Sequence, residues 1–260
     1  MLDRLSVAQI VVLFTSARGA DLDRLLADFA DDDRAGVKAA CRAARSARER
    51  RRTERLRTSQ LYRVEHALRE KGWLVVAGVD EVGRGALAGP LTVCAVVLPP
   101  EPRIEGLDDS KRLSPARREE LAVRVRSVAI GVGVAHVSAG EVDALGVSAA
   151  LRRAIGLSLS QLKTPPDHVV LDGLPLRVVA NETAIVKADA KVAAVAAASI
   201  VAKVTRDALM RSLAAEHPEY GFEVNKGYGT SEHLAAISRH GPCALHRRSF
   251  SWGANTETLF

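Results

Sequence analysis

Trp73-Leu74-Val75-Val76-Ala77-Gly78-Val79-Asp80-Glu81-Val82-Gly83-Arg84-Gly85-Ala86-Leu87-Ala88-Gly89-Pro90 is the stretch on which the reading of the fold turns. Trp73 to Val79 is short, apolar and rich in Val, the pattern of a buried strand. A carboxylate pair, Asp80-Glu81, follows it directly. Three glycines then free the backbone for tight turns and for close approach to a ligand. A strand that delivers acids into a glycine-rich loop is the geometry of a site at the end of a sheet.

Downstream of this stretch, strands alternate with helices. Thr92 to Leu98 reads as a second strand, stopped by Pro99-Pro100. Ser114 caps a helix that has Pro115 at its first position and runs to Arg126. Val128 to Val137 reads as a third strand. Ser138 opens a long helix to about Leu162, ended by Pro165-Pro166. His168 to Leu171 and Thr183 to Val186 are further strands, with Val178-Val179 extended between them. Lys191 to about Glu216 is an Ala-rich helix, and Ser231 to His240 a last one. This order predicts an α/β fold with helices flanking a mixed central sheet. Ala193 to Ala198 suit close helix-on-sheet packing.

Upstream, residues 1–70 read as a helical extension and residues 71–260 as the domain that carries the chemistry. Val7, Ile10, Phe14 and then Leu22, Leu25, Leu26, Phe29 recur at helical spacing. The acids Asp31 to Asp33 part this stretch from a second helix, Arg34 to Glu70, with few large apolar residues. The N-terminus faintly imitates a signal peptide, but Asp3 offsets Arg4, Gln9 interrupts the apolar run and Arg18 sits where a cleavage site would be, so an amphipathic helix is expected.

The chain has 260 residues, 47% of them hydrophobic and 26% charged, which is globular usage. No uncharged run reaches the roughly 18–20 apolar residues of a spanning helix, so no membrane partner is expected. Cys41, Cys94 and Cys243 are too few and too scattered for a disulfide framework or zinc spacing, which suits a reducing, cytoplasmic setting. The net charge of +6 is concentrated: residues 42–70 hold ten Arg against four Glu, and the rest of the chain sums to zero. Such a block suits a polyanion, or else a solvated helix face.

Acids stand at three predicted strand ends: Asp80-Glu81, Asp172 and, two residues further on from its strand, Asp189. If the strands are neighbours, four carboxylates share one small volume, which is unfavourable unless a cation neutralises them. With no Cys or His beside them, these hard oxygen ligands select Mg²⁺ or Mn²⁺ over zinc. Two such ions about 4 Å apart would stabilise the attacking and leaving oxygens of an in-line phosphoryl displacement.

Asp80-Glu81-Val82-Gly83-Arg84-Gly85 followed by Leu87-Ala88-Gly89-Pro90 resembles the opening signature of the bacterial ribonuclease HII family. Asp109-Ser110-Lys111, Asp172-Gly173, Lys187-Ala188-Asp189, the run Ala196 to Asp207, Lys226-Gly227-Tyr228-Gly229-Thr230 and His246-Arg247-Arg248-Ser249-Phe250 resemble its later blocks, in order. The sister ribonuclease HIII group usually has Gly-Thr-Gly where this chain has Gly83-Arg84-Gly85, so type II is favoured. The resemblance implies a ribonuclease H-like fold and cleavage of the RNA strand of RNA–DNA hybrids. It also implies incision 5′ to single ribonucleotides embedded in duplex DNA, leaving 5′-phosphate and 3′-hydroxyl ends. It assigns Asp80, Glu81, Asp172 and Asp189 to catalysis and to two metal ions. It assigns Gly83, Arg84, Gly85 and Tyr228 to sensing the ribose 2′-hydroxyl, a group that distinguishes RNA from DNA. Lys111, Lys203 and Arg206 are candidates for flanking phosphates, with a surface ion pair the alternative for the last two. The expected state is a monomer. Gly146 stands where the family usually has Asn, and the N-terminal extension is present in only some members. A rival reading is a non-catalytic nucleic-acid-binding protein worked by the arginine block; the intact carboxylate set argues against it.

Overall fold

The computed structural model describes residues 5–252. The chain forms two compact units that divide between Arg57 and Thr58.

The first unit contains α1 (Val7–Ser16), α2 (Gly19–Asp28) and most of α3 (Ala35–Leu61). Ser6 and Gln9 form a reciprocal capping box at the start of α1. The apolar spacing in this region builds a core of its own, with Ile10, Phe14, Leu22, Leu26, Phe29, Val37, Cys41 and Ala44. Phe14 and Phe29 meet edge-on with ring centroids 5.9 Å apart. Residues 5–29 form two helices, parted at Ala17–Arg18, where one stretch was expected. Asp3 and Arg4 lie outside the described residues. On α3, Arg42, Arg45, Arg50, Arg51, Arg52 and Arg55 are exposed, whereas Arg48 pairs with Asp23 and Arg57 with Glu54.

Residues 58–70, expected to belong to the extension, pack instead into the second unit. Leu61 and Tyr62, 4% exposed each, join its main core. The Tyr62 hydroxyl accepts from Ile104 N at 3.0 Å. Val64 and Leu68 of α4 (Arg63–Glu70) cover Val76, Val170 and Val195. The thin apolar face of this segment is the part that finds a partner.

The sheet of the second unit has β1 (Val76–Val82), β2 (Leu91–Val97), β3 (Gly131–Val137), β4 (His168–Asp172) and β5 (Glu182–Ile185). Its order is β3-β2-β1-β4-β5. β1 is antiparallel to β2 and β2 to β3, whereas β1, β4 and β5 are parallel, so the sheet is mixed. Helices α5 (Pro115–Val128) and α8 (Ala193–Ala214) cover one face over Cys94 and Val96. Helix α7 (Val147–Ser160) covers the other over Val93, Ala95 and Val97. A Cβ on Gly78 of β1 would collide with the backbone of Ala194 and Val195. Glycine there lets α8 lie directly on the central strand, and Ala193 to Ala198 are fully buried against it.

Three local expectations change. The helix expected from Ser138 to Leu162 is two: α6 (Ala139–Leu145) and α7, broken at Gly146, whose φ is 74°. β1 continues through Asp80 and Glu81 to Val82, so the acids lie within the strand rather than after it. Val178-Val179 is loop, because the Glu182 carboxylate gathers the N–H groups of Leu176, Arg177 and Val178 around itself. Two short helices, α9 (Phe222–Asn225) and α10 (Ser231–His240), complete the described fold. Among the described residues, no helix is long and apolar enough to cross a membrane.

Candidate active site

The register of β1 against β4 pairs Val79 with Leu171, so the next residues, Asp80 and Asp172, stand side by side at the sheet's end. Asp189 arrives from the 3-10 turn Ala188–Ala190 that precedes α8. This turn is tied to β4, because Ala188 N donates to Asp172 Oδ1 at 2.7 Å. Asp80, Glu81, Asp172 and Asp189 line a single cavity of about 440 Å³, shared with Gly83, Arg84, Gly85, Ser110, Lys111, Ser199, Lys203 and Tyr228. The residues expected to hold metal, to sense the sugar and, in Lys111 and Lys203, to meet phosphate therefore come together at one place. Among the described residues, no three acidic, His or Cys side chains are already gathered tightly enough to constitute a metal cage; the carboxylates surround the cavity.

Burial and mutual repulsion dominate the electrostatics. Asp80 is pushed up to about 8, first by burial and then by Glu81, with Asp172 adding to the effect. Glu81 is raised by burial and by Asp172, against the pull of Arg84, whose guanidinium lies 3.6 Å away. Asp189 is raised by burial, Asp109 and Asp172, and lowered by Lys111. Hard oxygen donors whose charged forms are disfavoured by burial and by one another, as at Asp80, Glu81 and Asp189, fit a divalent cation that would neutralise them. Ser199 reaches Asp80 from α8 and is hydrogen-bonded to Ser110 at 3.0 Å. Gly78 makes this contact possible by admitting α8; nothing in the sequence alone singles out Gly78 or gives Ser199 a role.

The glycine loop is held from beneath by two buried arginines. Arg206, fully buried, donates to the carbonyls of Pro90, Lys226 and Ala88 at 2.9, 2.9 and 3.1 Å. Arg247, also fully buried, donates to Arg84 O at 2.9 Å and to Gly89 O at 3.0 Å. Gly83, at φ 79°, has no room for a Cβ against Arg206. Arg206 is thus a brace for the loop: it is buried rather than on the surface, and its guanidinium is taken up by main-chain carbonyls. The block around His246 and Arg247, which without the resemblance would pass for a solvated tail, is core. Lys203 makes an ion pair with Asp207 at 2.9 Å and also lines the cavity. Lys111 is exposed, on a turn capped by Asp109.

Tyr228 also lines the cavity. Its hydroxyl accepts from Gly83 N at 3.2 Å, and its ring is flanked by Arg206 at 5.3 Å and Lys203 at 5.7 Å. The main-chain donor of the glycine loop and the phenol of the distant Lys226–Thr230 segment therefore meet.

Two family models match the chain: "Ribonuclease HII" over residues 77–252 and "Ribonuclease HII N-terminal domain" over residues 6–69. The ribonuclease HII of Bacillus cereus is 43% identical over 222 residues, covering 85% of this chain and 86% of that protein. The ribonuclease HII of Limosilactobacillus fermentum is 42% identical over 245 residues, covering 94% and 95%. Among solved structures, the ribonuclease H2 of Pyrococcus horikoshii OT3 superposes with a TM-score of 0.59 at 28% identity, covering 68% of this chain and 94% of that one. The matched models, the relatives and a mixed sheet presenting its acids beside a Gly-Arg-Gly loop agree: the chain belongs to the ribonuclease HII family, nucleases that hydrolyse the RNA strand of RNA–DNA hybrids.

Proposed function

We propose that this enzyme, besides cutting RNA in hybrids, incises duplex DNA 5′ to a single embedded ribonucleotide, using two divalent cations at Asp80, Glu81, Asp172 and Asp189. The observation that carries this reading is the meeting of Gly83 N and the Tyr228 hydroxyl at the rim of the carboxylate cavity. One ribose is enough to occupy such a clamp, so a long RNA strand is not needed for recognition.

Mg²⁺ or Mn²⁺, when bound, supplies Lewis-acid stabilisation of charge on the attacking and leaving oxygens of the phosphodiester. The four carboxylates would hold the ions. Asp172 Oδ1 already accepts from Ala188 N, which restrains a carboxyl that lines the cavity. Ser199 stands beside Asp80 and lowers its pKa against burial. Gly83, Arg84 and Gly85 offer main-chain groups to the 2′-hydroxyl. Tyr228 places its ring against the adjacent sugar. Lys111 and Lys203, both in the cavity lining, neutralise phosphates flanking the cut. Hydrolysis leaves a 5′-phosphate and a 3′-hydroxyl.

The test is cleavage of a DNA duplex containing one ribonucleotide, in Mg²⁺ and in Mn²⁺, with both product ends mapped. A single cut on the 5′ side of the ribonucleotide supports the reading. Cutting of continuous hybrids with no cut in this duplex overturns it.

A further inference from the structure

The main chain of Tyr228 ends a hydrogen-bonded chain of buried groups that the reaction does not use. Tyr228 O accepts from Thr230 N at 2.8 Å and faces His233 Nδ1 at 2.9 Å. His233 Nε2 lies 3.1 Å from His246 Nε2. His246 Nδ1 lies 3.0 Å from Cys243 N and 3.2 Å from Cys243 Sγ. The two imidazoles are 0% and 2% exposed.

These contacts fix both tautomers. A backbone N–H can only donate, so His246 Nδ1 must carry its lone pair toward Cys243. Neutral His246 then has its proton on Nε2 and donates it to His233 Nε2. That nitrogen must be bare, so His233 carries its proton on Nδ1, aimed at Tyr228 O. The opposite tautomer of either ring would set two donors or two lone pairs face to face. The surroundings disfavour the charged form of both rings. Tyr220 packs on His246 at 4.7 Å between centroids and Phe222 on His233 at 5.4 Å. Burial first, then His233, lowers His246 to about 4, with His217 and Arg248 acting in the same sense. Burial lowers His233, against the bond to Tyr228. The other titratable groups around the pair are Cys243, Tyr220, Glu219 and His240.

We propose that His246 and His233 are positioning residues: a tautomer-locked pair that holds the Tyr228 main chain, keeps its phenol beside Gly83 and thereby sets the preference for an embedded ribonucleotide. The proposal rests on the reading of Tyr228 as the sugar-contacting residue. At the opposite end of Tyr228, its N–H donates to Asn225 O at 3.0 Å. Removing the histidine contact leaves the carbonyl with Thr230 alone and frees the segment to pivot about that point. Protonating His233 on Nε2 would place two N–H groups 3.1 Å apart and break the chain in the same way.

Two measurements on the full chain decide this. The first is the ¹⁵N spectrum of the two histidines in the parent protein near neutral pH. Protonation of His233 on Nδ1 and of His246 on Nε2 is expected, and His233 protonated on Nε2 overturns the proposal even if variants fail to fold. The second is the ratio of kcat/KM on a single-ribonucleotide duplex to kcat/KM on a continuous hybrid. His233→Leu should lower this ratio by roughly tenfold, the loss of about one hydrogen bond. His233→Asn, which can keep an N–H near the Nδ1 position, should restore most of it. An unchanged ratio in a folded His233→Leu protein makes the pair mere core packing. An unchanged ratio in Tyr228→Ala overturns the reading of Tyr228 instead, and leaves the tautomers to be judged by the spectrum alone.

Discussion

Removing residues 1–57 and removing residues 1–70 should have very different consequences. The shorter truncation ends where the compact units divide and takes away a core, around Ile10, Phe14 and Leu22, that belongs to the first unit. The longer one also takes Leu61 and Tyr62, 4% exposed each, out of the catalytic core. Burying two such side chains contributes about 3–6 kcal/mol. It further removes the Tyr62 bond to Ile104 N and the bond from Ala194 N to Glu65, a carboxyl 1% exposed, at the start of α8. Each buried N–H left without its acceptor costs roughly 1–3 kcal/mol. The sum, about 5–12 kcal/mol, rivals the whole stability of a typical domain. Thermal melts and cleavage assays on both truncations check this. The protein lacking 1–57 should melt cooperatively and cut hybrids; the protein lacking 1–70 should be unfolded or nearly so. A cooperative, active protein lacking residues 1–70 would refute the reasoning, and with it the assignment of residues 58–70 to the catalytic core.

Other outcomes follow from the same geometry. In the metal-free protein Asp80 has a pKa of about 8 against about 3.9 when unfolded, so the folded state binds more protons between these values and its stability should fall as pH rises through that window. Asp80→Asn, which cannot ionise, should therefore raise the melting temperature in EDTA near pH 8, and a melt that is unchanged or lower contradicts the assignment of the strain to Asp80. On the single-ribonucleotide duplex Tyr228→Phe should lose on the order of 1–3 kcal/mol, for the hydroxyl's bond, and Tyr228→Ala more, for the ring as well; kinetics equal to the parent for both variants would make Tyr228 structural. Substituting exposed arginines on α3, such as Arg45 and Arg52, should flatten the slope of log affinity against log salt by about one unit for each phosphate no longer neutralised, and an unchanged slope would leave them a solvated face.

The first strand and its acids Asp80 and Glu81 are legible because a buried strand and a glycine loop leave short signals, although β1 runs from Val76 through the acids to Val82. The mixed sheet follows from the order of the elements. The packing of residues 58–70 is not legible because Leu61, Val64 and Leu68 are sparse within an arginine-rich helix, and sparse apolar spacing does not reveal which neighbour will cover it. Gly146 hides a helix break inside a run that otherwise reads as continuous. Arg206 and Arg247 are illegible for a deeper reason. A buried arginine that satisfies main-chain carbonyls from distant segments looks, in sequence, like any surface cation. His233 and His246 are thirteen positions apart, and only the fold makes them partners.

The central claim is that Asp80, Glu81 and Asp172, at the ends of β1 and β4, together with Asp189 from the turn before α8, hold the cations that drive hydrolysis, while substrate is gripped elsewhere. It is tested most directly by single-turnover cleavage of an RNA–DNA hybrid by Asp80→Asn in saturating Mg²⁺, with substrate binding measured on the same protein. Cleavage should collapse by several orders of magnitude, in keeping with the loss of metal-ion charge stabilisation, while affinity for the hybrid stays close to that of the parent. Near-normal cleavage by Asp80→Asn would contradict the account.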